Sequence, residues 1–165
     1  MRYYNNFFNS SALRGLSLLI ILTLSVSCSK NQIFRETNRE FPMNRWVKND
    51  DQVFKPKIVN TALNYNVKLT FGHVYGFQFQ KVPIQIIMES PSGEIEMLDM
   101  NLVILDENED DIGDCLGDIC DLEMPIKENY AFSEPGEYTI TVKNKFNNTF
   151  LPNVLAVGLL VEKVE

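Results

Sequence analysis

The densest chemistry in this 165-residue chain lies between Asp106 and Glu123. Nine carboxylates stand there with no Lys or Arg: Asp106, Glu107, Glu109, Asp110, Asp111, Asp114, Asp118, Asp121 and Glu123. Oxygen-rich loops bind hard cations such as Ca²⁺, and Asp106-x-Asn108-x-Asp110 copies the first alternating ligands of an EF-hand loop. The copy stops there. The sixth place needs a turn glycine and holds Asp111; the twelfth needs a bidentate acid and holds Gly117. An EF-hand is excluded. Asp106, Asn108 and Asp110 stay a candidate for a loose cation site, set against the plainer reading of a charge run as a solvated surface. No resident metal and no cofactor is expected.

Cys115 and Cys120 lie inside the same run, as Cys115-Leu116-Gly117-Asp118-Ile119-Cys120. They do not form a Cys-x-x-Cys pair, so thiol redox catalysis is not expected. Two readings stay open: a disulfide that shapes the loop, as an oxidising compartment allows, or two reduced thiols, since spacing alone does not establish geometry. His73 is the sole histidine. It has no Ser or Cys partner in a recognisable context, so no triad follows, and a histidine-based metal site is not expected. No pair of carboxylates is singled out for glycoside hydrolysis. The segment Gly72-His73-Val74-Tyr75-Gly76-Phe77-Gln78-Phe79 is rich in aromatics for a connection. If exposed, Tyr75, Phe77 and Phe79 form a candidate contact surface. Trp46, Tyr65, Tyr75 and Phe77 could stack on sugar, although large aromatics more often fill a core.

The elements that must position these residues read as strands. Tyr65, Val67, Leu69 and Phe71 alternate with Asn66, Lys68 and Thr70, and Tyr138, Ile140 and Val142 alternate with Thr139, Thr141 and Lys143. Period two puts one face inward. Val157, Leu159 and Val161 belong to a more buried last strand. Val82 to Met88 is an apolar run with Pro83 near its start, where a strand tolerates proline. The turn Ser90-Pro91-Ser92-Gly93 returns the chain into Glu94 to Leu105, with Ile95, Met97, Leu102 and Ile104 as inward candidates. Glu134-Pro135-Gly136 is a second turn. No sustained helical periodicity is present. The expected fold class is all-β: one antiparallel β-sandwich, Ig-like or jelly-roll-like, over residues 41–165. An apolar fraction of 45% suits such a core. A net charge of −7 argues against nucleic acid as a partner.

The first residues carry an address. Residues 1–27 contain Arg2 and Arg14 and no acid, and Leu16 to Val26 is a short apolar run. That is too short for a bilayer, which takes about 20 residues, and it fits a secretory signal better than a core helix. Leu24-Ser25-Val26-Ser27-Cys28 looks like a bacterial lipobox, in which Cys28 is lipidated and becomes the mature N-terminus. An ordinary cleavage site would leave the Cys unexplained. Acyl chains would hold the protein on a membrane. Residues 28–40 read as a flexible polar tether. Losing residues 1–27 leaves 13 basic and 22 acidic residues, a net of −9.

The order of these features resembles the GldH-type gliding-motility lipoproteins of the Bacteroidota. The resemblance runs from about Phe41 to Val164. It rests on Phe41-Pro42 with Trp46, the Tyr65-Asn66-Val67-Lys68-Leu69 strand, Ser90-Pro91-Ser92-Gly93, and the Leu102 to Asp106 strand running into Gly113–Gly117. It continues through Phe132-Ser133-Glu134-Pro135-Gly136-Glu137-Tyr138-Thr139-Ile140 and a final Leu151 to Glu162 containing Val157-Gly158-Leu159. Two departures stand out: Cys115 replaces the family's Trp in the glycine loop, and Lys145-Phe146 stands where the family has a basic segment before the last strand. The resemblance implies a palmitate-bearing lipoprotein of the cell envelope, on the periplasmic side of the outer membrane. It implies a non-enzymatic part of the gliding machinery, associated with the type IX secretion system, whose partners are other envelope proteins. It supplies no catalytic residues. The alternative expectation is a carbohydrate-binding envelope module, and a hydrolase comes third.

Overall fold

Period-two alternation commits one side chain in two to a facing layer, and the computed structural model, which describes residues 31–164, supplies that layer twice over. The strands in chain order are β1 Gln32–Asn38, β2 Arg45–Val47, β3 Gln52–Phe54, β4 Lys57–Ile58, β5 Tyr65–Val74, β6 Lys81–Glu89 and β7 Ile95–Val103. They continue with β8 Asp114–Leu116, β9 Ile119–Tyr130, β10 Gly136–Glu137, β11 Thr139–Asn144, β12 Phe150–Pro152 and β13 Val154–Lys163. A five-stranded sheet runs β1-β13-β5-β9-β8 and a four-stranded sheet runs β3-β11-β6-β7, with small β10-β4 and β12-β2 pairs beside them. Every paired neighbour is antiparallel. No helix among the described residues is long and apolar enough to cross a membrane.

The core is what the alternation demands. Val67, Leu69 and Phe71 of β5 and Val157, Leu159 and Val161 of β13 are buried in one cluster with Val82, Ile84 and Ile86 of β6 and Ile140 and Val142 of β11. Each such side chain contributes about 1.5–3 kcal/mol relative to exposure. Trp46 is fully buried and donates its indole N–H to the Asp50 carbonyl at 2.7 Å. Asn144, also buried, donates to the Trp46 carbonyl at 2.9 Å and accepts from the Phe146 N–H at 2.8 Å. Buried amides without such partners would cost stability. The two predicted turns lock together. The Glu134 carboxylate accepts from the Ser92 N–H at 2.9 Å, and a Cβ at Gly136 (φ 144°) would stand 2.5 Å from Pro91 Cγ.

Two sequence expectations change. The tether expected over 28–40 and the domain start expected at 41 are wrong for residues 32–38, which form β1 and pair with β13. A register shift between Gln32 and Phe34 sets consecutive Ile33 and Phe34 both against the core, which erases the period-two signal. In β7, Ile95 and Met97 face outward, 54% and 61% exposed, while Leu98 and Met100 pack on the core and Leu102 is buried. Odd and even positions of one continuous strand cannot share a face, so Ile95 and Met97 could not join Leu102. The signal peptide expected at 1–27 and the lipidated Cys28 lie outside the described residues.

Gly158 holds β1 in place by having no side chain. It lies opposite Thr37 and Thr70 in the adjacent strands, and a Cβ there would come within 2.6 Å of the Glu36 carbonyl oxygen and 2.7 Å of Thr37 Oγ1. Gly158→Ala is expected to cost about 1–3 kcal/mol by overpacking. Denaturant melts and amide exchange check this, with exchange at residues 32–38 rising most.

Candidate functional site

The β5–β9 register builds the site. It sets His73 opposite Cys120 and Val74 opposite Ile119. The β8–β9 hairpin then pairs Asp114 with Asp121, Cys115 with Cys120, and Leu116 with Ile119. Only Gly117 and Asp118 turn the chain, and Gly117 has φ 62°, the conformation a two-residue hairpin turn needs. Cys115 and Cys120 are joined as a disulfide across this hairpin. Beyond β5, the Tyr75 N–H donates to the Asp118 carbonyl at 3.0 Å, which fastens the next loop to the hairpin tip.

The tip is apolar and its surroundings are acidic. Leu116, Tyr75 and Ile119 are 89%, 62% and 52% exposed. Asp114, Asp118 and Asp121 are exposed beside them. Of the nine acids between 106 and 123, only Glu123 and Asp111 have a cationic group or histidine within ion-pair reach among the described residues. Arg35 and Lys68 neutralise Glu123, and the hydrogen bond to Glu162 holds the Lys68 ammonium above its usual range. The remaining charge faces solvent.

The Asp106 loop has a local role. The Asp106 carboxylate accepts from the backbone N–H groups of Asn108 at 2.7 Å and Asp110 at 3.0 Å. Those two bonds, that of Asp110 first, hold its carboxyl below the usual range. Asp106 therefore closes its own turn. Asn108 and Asp110 are exposed, and the Asn108 amide donates back to Asp106 at 3.3 Å. The loop returns through a bridge between Leu105 and Asp111, and Asp111 Oδ2 accepts from the Gly76 N–H at 3.3 Å.

Asp111 thereby reaches His73 beneath the tip. His73 is fully buried between Phe71, stacked at 5.7 Å, and Phe77, edge-on at 5.1 Å. Its Nε2 lies 3.8 Å from Asp111 Oδ1. Cys120 Sγ completes a cluster with these atoms in which no separation exceeds 4.8 Å. Sequence reasoning missed it. Residues 73, 111 and 120 share no motif spacing and meet only through strand register and the loop bridge.

The expected contact surface is corrected at two of three positions. Tyr75 is exposed, but Phe77 is buried against Phe71, and Phe79 is half-buried between Phe77 and Phe146. Gly76, at φ 71°, lets the chain turn back so that Phe77 covers the sheet. The proposed sugar-stacking group fails for the same reason. Trp46 and Tyr65 are core residues, and Tyr65 donates to the Asn60 carbonyl at 2.6 Å.

A cleft of about 290 Å³ lies elsewhere, lined by Met88, Glu96, Tyr130 and Tyr138. Burial first, then the Glu96 charge, pushes the Tyr130 phenol up to about 12. It stays protonated and donates to Glu96 at 3.2 Å, and Lys127 contacts the same carboxylate at 2.5 Å. Glu134, like Asp106, is held below the usual carboxylate range, in its case by Ser92. A general acid needs the opposite shift. The geometry at the tip suits binding.

Residues 33–161 match the family model described as GldH lipoprotein. No curated protein and no solved structure matches the chain.

Reducing the Cys115–Cys120 bond is expected to lower stability by about 2 kcal/mol, the chain-entropy value for so short a loop. Amide exchange should rise at Tyr75 and residues 111–119 well before β13. Equal exchange in reduced and oxidised protein would mean that the hairpin needs no bond.

Proposed function

The chain belongs to the GldH lipoprotein family, and from that premise we propose that it works as a non-enzymatic, lipid-anchored component of the gliding-motility machinery. As a member of a lipoprotein family it is an envelope protein held at a membrane. In the proposed arrangement Cys28 carries the acyl chains, the membrane is the outer membrane, and the domain faces the periplasm in association with the type IX secretion system. Its task is to present the β8–β9 tip to another envelope protein.

The observation that carries this reading is the exposed Leu116–Ile119–Tyr75 tip inside an uncompensated acidic surround. Apolar side chains supply contact area, and like-signed charge around them selects a basic partner and speeds encounter. The matching surface is an apolar pocket rimmed by Lys and Arg. Position supports the same reading. Gln32, four residues after Cys28, pairs with Glu162 at the end of the sheet where Lys163 meets Tyr65. From Tyr65, β5 runs to Val74, about 30 Å at roughly 3.3 Å per residue. The start of β1 and the tip therefore sit at opposite ends of one sheet. Confinement at the membrane raises effective concentration, so a modest tip contact suffices.

A deletion strain complemented with variants tests the assignment. Deletion is expected to abolish colony spreading and single-cell gliding, and the wild type to restore both. Cys28→Ala is expected to leave protein detectable by blot but outside the membrane fraction, without movement. Leu116→Asp is expected to stay membrane-bound and folded yet restore spreading poorly. Normal gliding of the deletion strain would remove the machinery assignment.

A further inference from the structure

We propose that the reduced form of this chain binds a zinc-type ion through His73, Asp111, Cys120 and Cys115, so that a metal and a disulfide are alternative clamps of the acidic loop.

Two buried polar atoms meet beneath the tip without a hydrogen bond. His73 Nδ1 lies 3.0 Å from the Val74 carbonyl oxygen. A carbonyl can only accept, so Nδ1 carries a proton, and a ring with that one proton holds its lone pair at Nε2. Nε2 lies beside Asp111 Oδ1. Both atoms are buried and neither has a hydrogen-bond partner. Their side chains are 0% and 7% exposed. The 3.8 Å between them is longer than a hydrogen bond, which spans about 2.7–3.2 Å. It fits an ion. Zinc sits about 2.0–2.1 Å from nitrogen and about 2.0–2.2 Å from oxygen. Those bonds put the two ligands roughly 3.4 Å apart at a tetrahedral angle and roughly 4.2 Å apart in line. The Nδ1–H to carbonyl contact is also the outer-shell bond that metal-ligating histidines make.

The third donor decides the metal and the condition. Cys120 is buried, and its sulfur lies within 4.8 Å of both acceptor atoms. While bonded to Cys115 it is not a thiolate, and thiolate is the ligand form. A dithiol reductant breaks the bond. The dithiol is oxidised to its own disulfide, and Cys115 and Cys120 each gain an electron and a proton. Zinc then displaces both thiol protons to solvent. Cys120, His73 and Asp111 hold the ion from within, and exposed Cys115 closes the fourth position from the solvent side. Two sulfurs, one imidazole and one carboxylate select a zinc-type ion over Ca²⁺ or Mg²⁺. The unpaired carboxylates of the same loop favour cation entry. A disulfide oxidant that takes the two electrons, and two protons from solvent, to become a dithiol would re-form the Cys115–Cys120 bond and release the ion to solvent.

The test uses the acylated protein in detergent, with Co²⁺ as a coloured probe and Zn²⁺ as competitor. After phosphine reduction and desalting, one Co²⁺ per chain is expected, with a thiolate-to-cobalt charge-transfer band that Zn²⁺ abolishes. The oxidised protein should show no such band. Asp111→Asn is expected to weaken Co²⁺ binding at least tenfold, and Asp118→Asn, outside the cluster, to leave it unchanged. His73→Gln should weaken it similarly; if that variant does not fold, Asp111→Asn decides. Cys115→Ser should retain a weaker band from Cys120 alone. The proposal is overturned if reduced protein shows no band. It is overturned equally if Asp111→Asn and Asp118→Asn bind alike, since the acidic loop alone would then hold the ion.

Discussion

The pairing of β5 with β9 is the constraint on which the rest of the molecule depends. It aligns Phe71 with Leu122, His73 with Cys120 and Val74 with Ile119. A slip of one residue would turn every side chain of β9 to the opposite face. Cys120 and Leu122 would leave the interior, and Asp121 and Glu123 would enter it. Burying two unpaired carboxylates costs far more than a domain can spare. The register is therefore set by charge as much as by apolar burial. Once it is set, the hairpin tip, the disulfide and the His73–Asp111 contact follow from local geometry.

Structure and proposed role meet in the division of the five-stranded sheet into two ends. At one end Gln32 enters β1 beside Glu162, four residues in sequence after Cys28, the proposed acylation site. At the other, Leu116 and Ile119 project with Tyr75 held beside them by Asp118. Between them lie β5 and β13, whose inward side chains are fully buried. The Cys115–Cys120 bond closes the tip where the backbone leaves the core, and seven of the nine acids between 106 and 123 have no ion-pair partner among the described residues.

Much of this fold was legible because the strands concerned sit with one face in and one face out. Tyr65 to Phe71 and Tyr138 to Val142 announce themselves by alternation, and the last strand by a longer apolar stretch. The misread segments have physical reasons. β1 hides behind a bulge that puts Ile33 and Phe34 on the same side. β7 carries apolar residues on both faces, so composition could not say which parity points inward. The candidate site was less legible. Tyr75, Cys115 and Cys120 stood out by residue type, but Gly76 sends Phe77 back into the core. His73, a lone histidine in the sequence, acquires partners from two distant segments only after folding.

The central claim is that the acidic, apolar-tipped hairpin is where this lipoprotein meets its partner. Site-specific photo-crosslinking in living cells addresses it most directly. A photoreactive residue at Leu116 is compared with one at Met97, which is also exposed, at 61%, but lies on β7 of the other sheet. The account predicts a discrete crosslinked product from position 116, identified by mass spectrometry as an envelope component of the gliding machinery, and none from position 97. Products from position 97 with none from position 116 would contradict it and move the contact to the opposite sheet.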